Sequence, residues 1–438
     1  MRAFAVARAV RGIEPLVAAE IMKLGIVRRL RHREVWFEAP SSGPGLLRLR
    51  TADDVLLVAA VVDGVGAGRG ALERLRRAAE NADAGAALAL RRSARTADDR
   101  GRPAEAPVMC CASSGGGWPV ETSEPFCGSG DGKWPVERSE PFCGSGDGKR
   151  PIEVSATFVG RRSYSRFGVE DAVGAGLSRA LGVPYHSRAG GVAPPPGAVP
   201  WRVTIEDDQA VIAVRLGERP LHRRPYKEDS IPGTLHPPLA AAMATLAGLT
   251  DAGPTTTGLT AAGPADAIRA EAGRDHGRGS DPVVLDPCCG AGTTLVEAGL
   301  LAPRARLAGI DRSPASVRAA TANARRAGVA MTPVVGDAGR LPLPSGSVDR
   351  VLVNPPWGRQ VTAAGLLARD GGLLWREVRR VLAPGGLVVT LAGDVPDGFR
   401  VERAIEVSLS GRHPLLAVLR PSRRRHSPTN PAPSERRR

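Results

Sequence analysis

The stretch that decides the fold of the carboxyl-terminal half is Val283-Val284-Leu285-Asp286-Pro287-Cys288-Cys289-Gly290-Ala291-Gly292-Thr293-Thr294. A short apolar strand pattern leads into a turn with two glycines, and a helical pattern follows. Glycines at such a turn let the backbone approach a ligand closely, and the first turn of the helix offers free N–H groups to an anionic group. A dinucleotide site would carry a third glycine three positions after Gly292, where Leu295 stands, so the stretch disfavours NAD.

A regular alternation of strands and helices extends through this half of the chain. Strands are predicted at Val283–Asp286, Leu307–Asp311, Met331–Val335, Val348–Val353 and Gly386–Ala392. Helices are predicted at Thr293–Leu300, Pro314–Arg326 and Gly372–Leu382, and a last antiparallel strand pair at Arg403–Ser408 and Leu415–Leu419. This alternation is typical of an open, mainly parallel sheet with helices on both faces, an α/β fold.

Polar residues follow four consecutive strands, at the edge where α/β sheets bind ligands. They are Asp286-Pro287, Asp311, Asp337 and the run Asn354-Pro355-Pro356-Trp357. Asp311 is suited to accept hydrogen bonds from two ribose hydroxyls, and Asp337 is placed to meet an adenine amine. The structural alternative, in which the prolines stop a strand and Asp311 caps a helix, requires every one of these positions to arise by coincidence.

These residues resemble the cofactor and amine-methylation motifs of class I methyltransferases. Asp286-Pro287-x-Cys289-Gly290-x-Gly292-Thr293 and Asn354–Gly358 resemble those of the THUMP domain-containing RNA guanine-N2 methyltransferases, and Leu221–Lys227 resembles the segment that leaves the THUMP domain there. The resemblance implies a Rossmann-like class I methyltransferase domain preceded by α+β ferredoxin-like and THUMP domains. It also implies S-adenosyl-L-methionine as cofactor and the N2 amine of a guanosine in structured RNA, above all tRNA, as the methyl acceptor.

The resemblance also assigns roles to individual residues. Cofactor binding falls to Asp286, Pro287, Gly290, Gly292, Thr293, Thr294, Asp311 and Asp337, and catalysis to Asn354, Pro355, Pro356 and Trp357. The side-chain carbonyl of Asn354 and the backbone carbonyl of Pro355 would accept the two N–H bonds of the amine, and Trp357 would stack on the base. The chain departs from the family at Cys288, where another residue is common, and in two long insertions.

The amino-terminal half is predicted as mixed α and β. Strands are expected at Phe4–Ala7, Val35–Phe37, Ile152–Ala156, Trp201–Ile205 and Ala210–Val214, and helices at Glu14–Leu24, Glu170–Leu181 and Pro238–Leu246. Together with the resemblance, these elements predict a ferredoxin-like domain at 1–50 and a THUMP domain at 51–227, which contains an insertion at about 93–150. They also predict a catalytic domain at 228–421, which contains an insertion at about 250–281, and a disordered basic tail at 422–438.

The first insertion contains a tandem duplication, in which Trp118–Lys133 is repeated as Trp134–Lys149 with one difference, Thr122 against Arg138. Two copies are too few for a repeat architecture, and the Gly, Ser and Pro content favours a flexible segment. Cys110, Cys111, Cys127 and Cys143 match no paired zinc-ligand spacing, so no metal is expected. Cys288 and Cys289 are expected to pack beneath the glycine turn as reduced thiols.

Charge is the most informative feature of the composition. Sixty Lys and Arg residues against 45 Asp and Glu give a net charge of +15. This balance favours a polyanionic partner, here RNA, against the alternative of a general arginine bias. The sequence shows no membrane-length apolar run and no cleavable signal pattern, so we expect a cytoplasmic protein without a membrane partner, as a monomer.

Four other functions remain open at this point. Ribosomal RNA, a DNA amino group or a protein glutamine presents the same chemical problem as a guanosine amine, and a non-catalytic RNA-binding module is an alternative of another class. A protein methylase of the release-factor type would carry Tyr after the prolines, and a vestigial site would not need Asn354 and both aspartates.

Overall fold

A computed structural model describes residues 3–40, 45–100, 150–249, 281–356, 361–409 and 411–422. The duplicated segment with its cysteines, nearly all of the second insertion, Trp357 and the tail from residue 423 lie outside the described residues. The predictions made for them therefore stay predictions.

The amino-terminal half forms one eight-stranded sheet in the order β2-β3-β1-β4-β8-β7-β5-β6. Its strands are β1 (Ala3–Arg8), β2 (Ile26–Arg31), β3 (Glu34–Ala39), β4 (Asp54–Asp63), β5 (Ile152–Phe158), β6 (Tyr185–His186), β7 (Val199–Glu206) and β8 (Gln209–Arg215). Its helices are α1 (Glu14–Ile21), α2 (Gly70–Glu80), α3 (Ala84–Arg100) and α4 (Arg166–Leu181). The sheet is continuous across residue 50, because β4 pairs with both β1 and β8.

The two faces of this sheet differ in chemistry. On β7, Trp201, Val203 and Ile205 are buried in the main hydrophobic core, as the period of two in a strand requires. Arg202 and Thr204 alternate with them and therefore point to the opposite face. That face carries polar residues and meets the catalytic half of the chain along one part, where a cavity forms.

Three strands of this sheet, β2, β4 and β6, were not among the sequence predictions, and β2 has the clearest physical reason. β2 contains Arg28, Arg29 and Arg31, which are typical of an exposed charge cluster. It lies at the edge of the sheet and is mostly exposed, so it lacks the alternation of buried residues that identifies a strand. Arg28 forms an ion pair with Glu38 of the neighbouring β3.

The carboxyl-terminal half forms a seven-stranded sheet in the order β11-β10-β9-β12-β13-β15-β14. Its strands are β9 (Val283–Asp286), β10 (Arg306–Asp311), β11 (Thr332–Val335), β12 (Val348–Val353), β13 (Leu382–Ala392), β14 (Phe399–Glu406) and β15 (Leu415–Pro421). Its helices are α5 (Pro237–Leu246), α6 (Thr293–Leu301), α7 (Pro314–Ala327), α8 (Leu366–Arg369) and α9 (Gly372–Val381). β9 to β13 are parallel and β15 is antiparallel to both of its neighbours, which confirms the predicted α/β fold.

In the described part of the chain, no helix has the length and apolar character that crossing a bilayer requires.

A buried carboxylate joins the two halves. Glu297 on α6 is completely buried, and its two oxygens accept hydrogen bonds from Arg50 at 2.6 and 2.8 Å, from Arg224 at 2.9 Å and from the Tyr226 hydroxyl at 2.7 Å. A buried charge is tolerated only when it is paired and hydrogen-bonded in this way. The segment Leu221–Lys227, singled out in the sequence, thus contributes two of the residues that bind this carboxylate.

Replacing Glu297 with glutamine is expected to destabilise the protein by about 3–5 kcal/mol, because the buried Arg224 guanidinium and the partly buried Arg50 guanidinium lose their counter-charge. Urea unfolding followed by tryptophan fluorescence measures the change. The matched control is Glu73→Gln on α2, where the carboxylate pairs with Arg76 and Arg77 at the surface and should contribute little. Equal unfolding midpoints for the two variants would contradict the assigned role of Glu297.

Candidate active site

The carboxyl ends of β9, β10, β11 and β12 surround a cavity of about 1120 Å³. The sequence-predicted residues that line it are Asp286, Pro287, Gly290, Thr293, Thr294, Asp311, Asn354, Pro355 and Pro356. The strands place them together because every parallel strand ends at the same edge of the sheet, where adjacent loops diverge and leave a crevice.

Two of the predicted residues that the structure describes, Gly292 and Asp337, do not line this cavity. Gly292 lies beneath it as the residue before α6, with a φ of 77°. The Asp337 carboxylate accepts hydrogen bonds from the Gly339 and Leu366 amides, while the adjacent Gly336 and Ala338 line the cavity. Trp357 lies outside the described residues.

The glycine turn is held in place by the end of the neighbouring strand. The Gly290 amide donates to Oδ2 of Asp311 at 2.9 Å, and the Cys289 amide donates to the Ile310 carbonyl at 2.9 Å. At Gly292, a Cβ would lie 3.0 Å from the Cβ of Ala320, so α7 can pack closely against the turn only when this residue is glycine. The turn thereby fixes where the first N–H groups of α6 point.

Two buried polar groups face the cavity from this region. The Thr293 hydroxyl is buried and has no hydrogen-bond partner among the residues that the structure describes. Burial raises the pKa of Asp286 to about 7, although hydrogen bonds from the Cys288 amide and the Thr294 side chain favour its charged form. A hydroxyl and a carboxyl of this kind at the wall of a cavity are typical of a site that binds a polar ligand.

The two cysteines of the turn pack rather than react. Burial raises the pKa of both the Cys288 and the Cys289 thiol, so neither forms a thiolate readily at neutral pH. Cys289 is buried against β10, where its sulfur lies 3.0 Å from the position a Cβ would take at Gly309. This placement agrees with the packing role expected from the sequence.

A covering loop, residues 228–236, forms the opposite wall of the cavity and was missed by the sequence predictions. Ile231 lies over Gly290, and the Gly233 carbonyl accepts a hydrogen bond of 3.5 Å from the Asn354 side-chain amide. The loop is anchored by Asn323 of α7, which is buried and donates to the carbonyls of Asp229 and Ala291 at 2.9 and 3.0 Å. These contacts join the covering loop, the glycine turn and Asn354 into one unit.

The far end of the covering loop reaches the amino-terminal half. His236 Nε2 lies 2.7 Å from Oδ1 of Asp53, and the His222 amide donates to the Asp53 carbonyl at 3.0 Å. Asp53 thus contacts both ends of the segment 222–236 that crosses between the two halves. The periodicity of a helix or strand, which would have revealed such a segment in the sequence, is absent from this stretch.

Comparison with known proteins identifies the family to which this chain belongs. A family model described as "RMKL-like, methyltransferase domain" matches residues 276–397, which contain the glycine turn, Asp311, Asp337 and Asn354. The tRNA (guanine(6)-N2)-methyltransferase of Thermus thermophilus is 32% identical over 266 residues, which cover 57% of this chain and 67% of the relative. The chain belongs to the THUMP-type RNA guanine-N2 methyltransferase family. Its methyl donor is S-adenosylmethionine.

Two further comparisons agree with this family. The U6 snRNA (guanine-N(2))-methyltransferase THUMPD2 of Bos taurus is 36% identical over 118 residues, which cover 26% of this chain and 22% of that protein. The crystal structure of TrmN from Thermus thermophilus superposes with a TM-score of 0.61 at 24% identity, over 96% of this chain and 100% of TrmN. The shared fold therefore includes both halves of this methyltransferase.

The raised pKa of Asp286 predicts how stability changes with pH. The native state keeps the proton up to about pH 7, while the unfolded state releases it near 3.8, so the native state binds more protons between these values and loses stability as the pH rises. Asp286→Asn cannot ionise. Its stability relative to the wild type should therefore rise by about 3 kcal/mol between pH 5 and pH 8.

Urea unfolding of both proteins at several pH values, without cofactor, measures this difference. Asp394→Asn is the control, because Asp394 is an exposed carboxylate in the turn between β13 and β14. A difference between Asp286→Asn and the wild type that stays constant with pH would show that Asp286 is ionised throughout the range.

Proposed function

We propose that this chain transfers a methyl group from S-adenosylmethionine to the exocyclic N2 amine of a guanosine in structured RNA, with tRNA as the favoured substrate. The observation that carries the proposal is the position of Asn354 at the end of β12, in the wall of the cavity that the glycine turn also lines. The names of the relatives support RNA as the substrate, since one acts on tRNA and the other on U6 snRNA.

The cavity offers groups that fit the cofactor. The N–H groups at the start of α6 and the unpartnered Thr293 hydroxyl suit its carboxylate, and Asp311 retains lone pairs for ribose hydroxyls. We assign the adenine amine to Asp337, whose carboxylate would exchange a present contact for it. The cofactor supplies an electrophilic methyl carbon on a sulfonium sulfur.

Asn354 addresses the main chemical difficulty of the reaction. An exocyclic amine is a poor nucleophile because its lone pair is delocalised into the ring. The long contact of 3.5 Å between the Asn354 NH2 group and the Gly233 carbonyl favours the orientation in which the amide oxygen is turned away from Gly233. That oxygen and the Pro355 carbonyl would accept the two N–H bonds of the substrate amine, so that its lone pair faces the methyl carbon.

Positioning then supplies most of the catalysis. Two consecutive prolines restrict the backbone φ angles after Asn354 and keep the carbonyls of this loop in a fixed direction. Orientation of this kind is worth about 7–11 kcal/mol in favourable cases. No strong general base is needed, because the amine becomes acidic as the methyl group arrives.

We also propose a division of the chain by role. In this division, residues 1–50 form a ferredoxin-like domain and residues 51–227 form a THUMP domain, and the two domains bind the RNA. Residues 228–421 form the catalytic domain. The excess of 15 positive charges supports an RNA-binding role, since phosphate neutralisation releases counterions. We expect the enzyme to act as a monomer.

Replacing Asn354 with alanine is expected to lower methyl transfer by at least about a hundredfold, because the amine loses one of the two acceptors that orient it. Cofactor affinity, measured by isothermal titration calorimetry, should remain close to that of the wild type. The control is Asn81→Ala, which removes an exposed side chain after α2. Turnover by Asn354→Ala at the wild-type rate would remove Asn354 from the mechanism.

The substrate is tested by incubating the protein with labelled cofactor and separate pools of tRNA, ribosomal RNA, DNA and protein. Digestion of the labelled product is expected to yield N2-methylguanosine from the tRNA pool. Label in ribosomal RNA alone would change the substrate but keep the chemistry. Label in DNA or protein alone would overturn the RNA assignment.

A further inference from the structure

A second cavity, of about 380 Å³, lies between the polar face of the amino-terminal sheet and the catalytic half. We call it the basic cavity, because its wall contains three arginines and two histidines: Arg8, Arg33, Arg202, His222 and His236. Asp53 and Asp54 are the only acidic residues among those that line it. None of the roles assigned so far uses this cavity.

Each of the two acidic residues already contacts a basic side chain. The Asp54 carboxylate forms an ion pair of 2.7 Å with Arg215, and the Asp53 carboxylate contacts His236 at 2.7 Å. Arg8 is paired with Glu34 of β3. In the described ranges, by contrast, no carboxylate forms an ion pair with Arg202 or with Arg33. These two cations remain available for a ligand.

Arg202 is held in an unfavourable place for a cation without a partner. It lies on β7 and is half-buried. Burial, followed by the nearby Arg215, lowers the pKa of its guanidinium, and the charge of Asp54 opposes this shift only in part. Thr204, on the same face of β7, lies opposite Thr157 of the adjacent β5, and both hydroxyls line the cavity. An arginine beside two hydroxyls on a rigid sheet is a favourable arrangement for an oxyanion.

Arg33 approaches the cavity from the turn between β2 and β3. Its φ of 60° lies in the left-handed region, where glycine or asparagine is usual and other residues occur at a cost. Its backbone is fixed on both sides, since its amide donates to Glu14 at 2.8 Å and its carbonyl accepts from the Ala9 amide at 3.0 Å. The strained turn thus presents an arginine side chain to the basic cavity.

The basic cavity adjoins the active site. His236 and Leu409 line both cavities, so the width of a single side chain separates them. His236 also ends the covering loop that holds Asn354 through Gly233. A nucleotide strand with one base in the active site would therefore bring a neighbouring phosphate close to the basic cavity.

Asp53, His222 and His236 also form a group that could in principle bind a metal ion. A divalent cation is disfavoured there, because three guanidinium groups line the same small cavity and like charges repel strongly at such distances. The same cationic wall favours an anion. The charge of the cavity therefore decides between the two kinds of ligand.

We propose that the basic cavity binds a phosphate group through Arg202 and Arg33, assisted by the Thr157 and Thr204 hydroxyls. Resting on the proposed function, we assign this phosphate to the substrate RNA, next to the nucleotide whose base enters the active site. The contact would position the strand and carry no base specificity of its own.

Diphosphate, used as a small probe without RNA, tests the site on the full chain. Isothermal titration calorimetry should detect diphosphate binding to the wild type, and the apparent Kd should rise by roughly tenfold or more in Arg202→Gln/Arg33→Gln, since charge-assisted hydrogen bonds are lost. Arg304→Gln is the control: this exposed arginine precedes β10, at the opposite edge of the sheet from the active site. Because Arg33 is exposed, Arg33→Gln alone provides a variant with little risk to folding.

RNA binding provides a separate measurement that distinguishes the source of the phosphate. Fluorescence anisotropy with tRNA at several KCl concentrations should show that the double variant reduces the magnitude of the slope of log K against log salt by about one, as expected for the loss of one phosphate contact. A free nucleotide that binds as the diphosphate does, while the RNA slope stays unchanged, would overturn the assignment to RNA.

The outcomes separate this inference from the proposed function. If the wild type and Arg304→Gln bind diphosphate and the double variant does not, the result supports the phosphate site. This holds even if no RNA pool yields N2-methylguanosine. No diphosphate binding by the wild type, or equal binding by the double variant, overturns the site. Stoichiometric zinc binding that is lost in His222→Ala would overturn it in favour of a metal.

Discussion

The structure depends above all on the burial of one carboxylate. Glu297 lies in the middle of α6, whose first residues follow the glycine turn, and it binds Arg50 from one half of the chain and Arg224 and Tyr226 from the segment that joins the halves. Because a buried charge must be fully paired, these partners have little freedom to move. The helix that follows the glycine turn is thereby also bonded to the amino-terminal half.

The covering loop follows directly from this constraint. It begins just after Tyr226, crosses the active-site cavity, and ends at His236 on Asp53 of the amino-terminal half. On its way it meets Asn354 through Gly233 and α7 through Asn323. The loop after β12 is therefore oriented partly by residues of the amino-terminal half, and the basic cavity lies where the two halves meet.

The sequence predicted the catalytic half well because its signals are local. β9 is a short apolar run that ends in Asp286, and β12 ends in the buried run Val351–Val353 directly before Asn354. The glycine turn and the Asn-Pro-Pro run can likewise be recognised from their own residues. The parts that were missed depend on contacts between distant residues. Asp53 and His236 are 183 positions apart, and neither the covering loop nor the arginine-rich edge strand β2 shows a periodic pattern. Glu297 likewise resembles any helix residue until its partners are known.

The central claim is that Asn354 and Pro355 hold a guanine amine with its lone pair toward the methyl donor. A crystal structure of the enzyme with S-adenosylhomocysteine and a guanosine-containing RNA fragment tests it most directly. In this complex we expect guanine N2 to lie within hydrogen-bonding distance of Asn354 Oδ1 and of the Pro355 carbonyl oxygen, on the side that faces the cofactor sulfur. A complex in which the loop after β12 points away from that sulfur, or in which the protein's own side chains fill the place of the base, would contradict it.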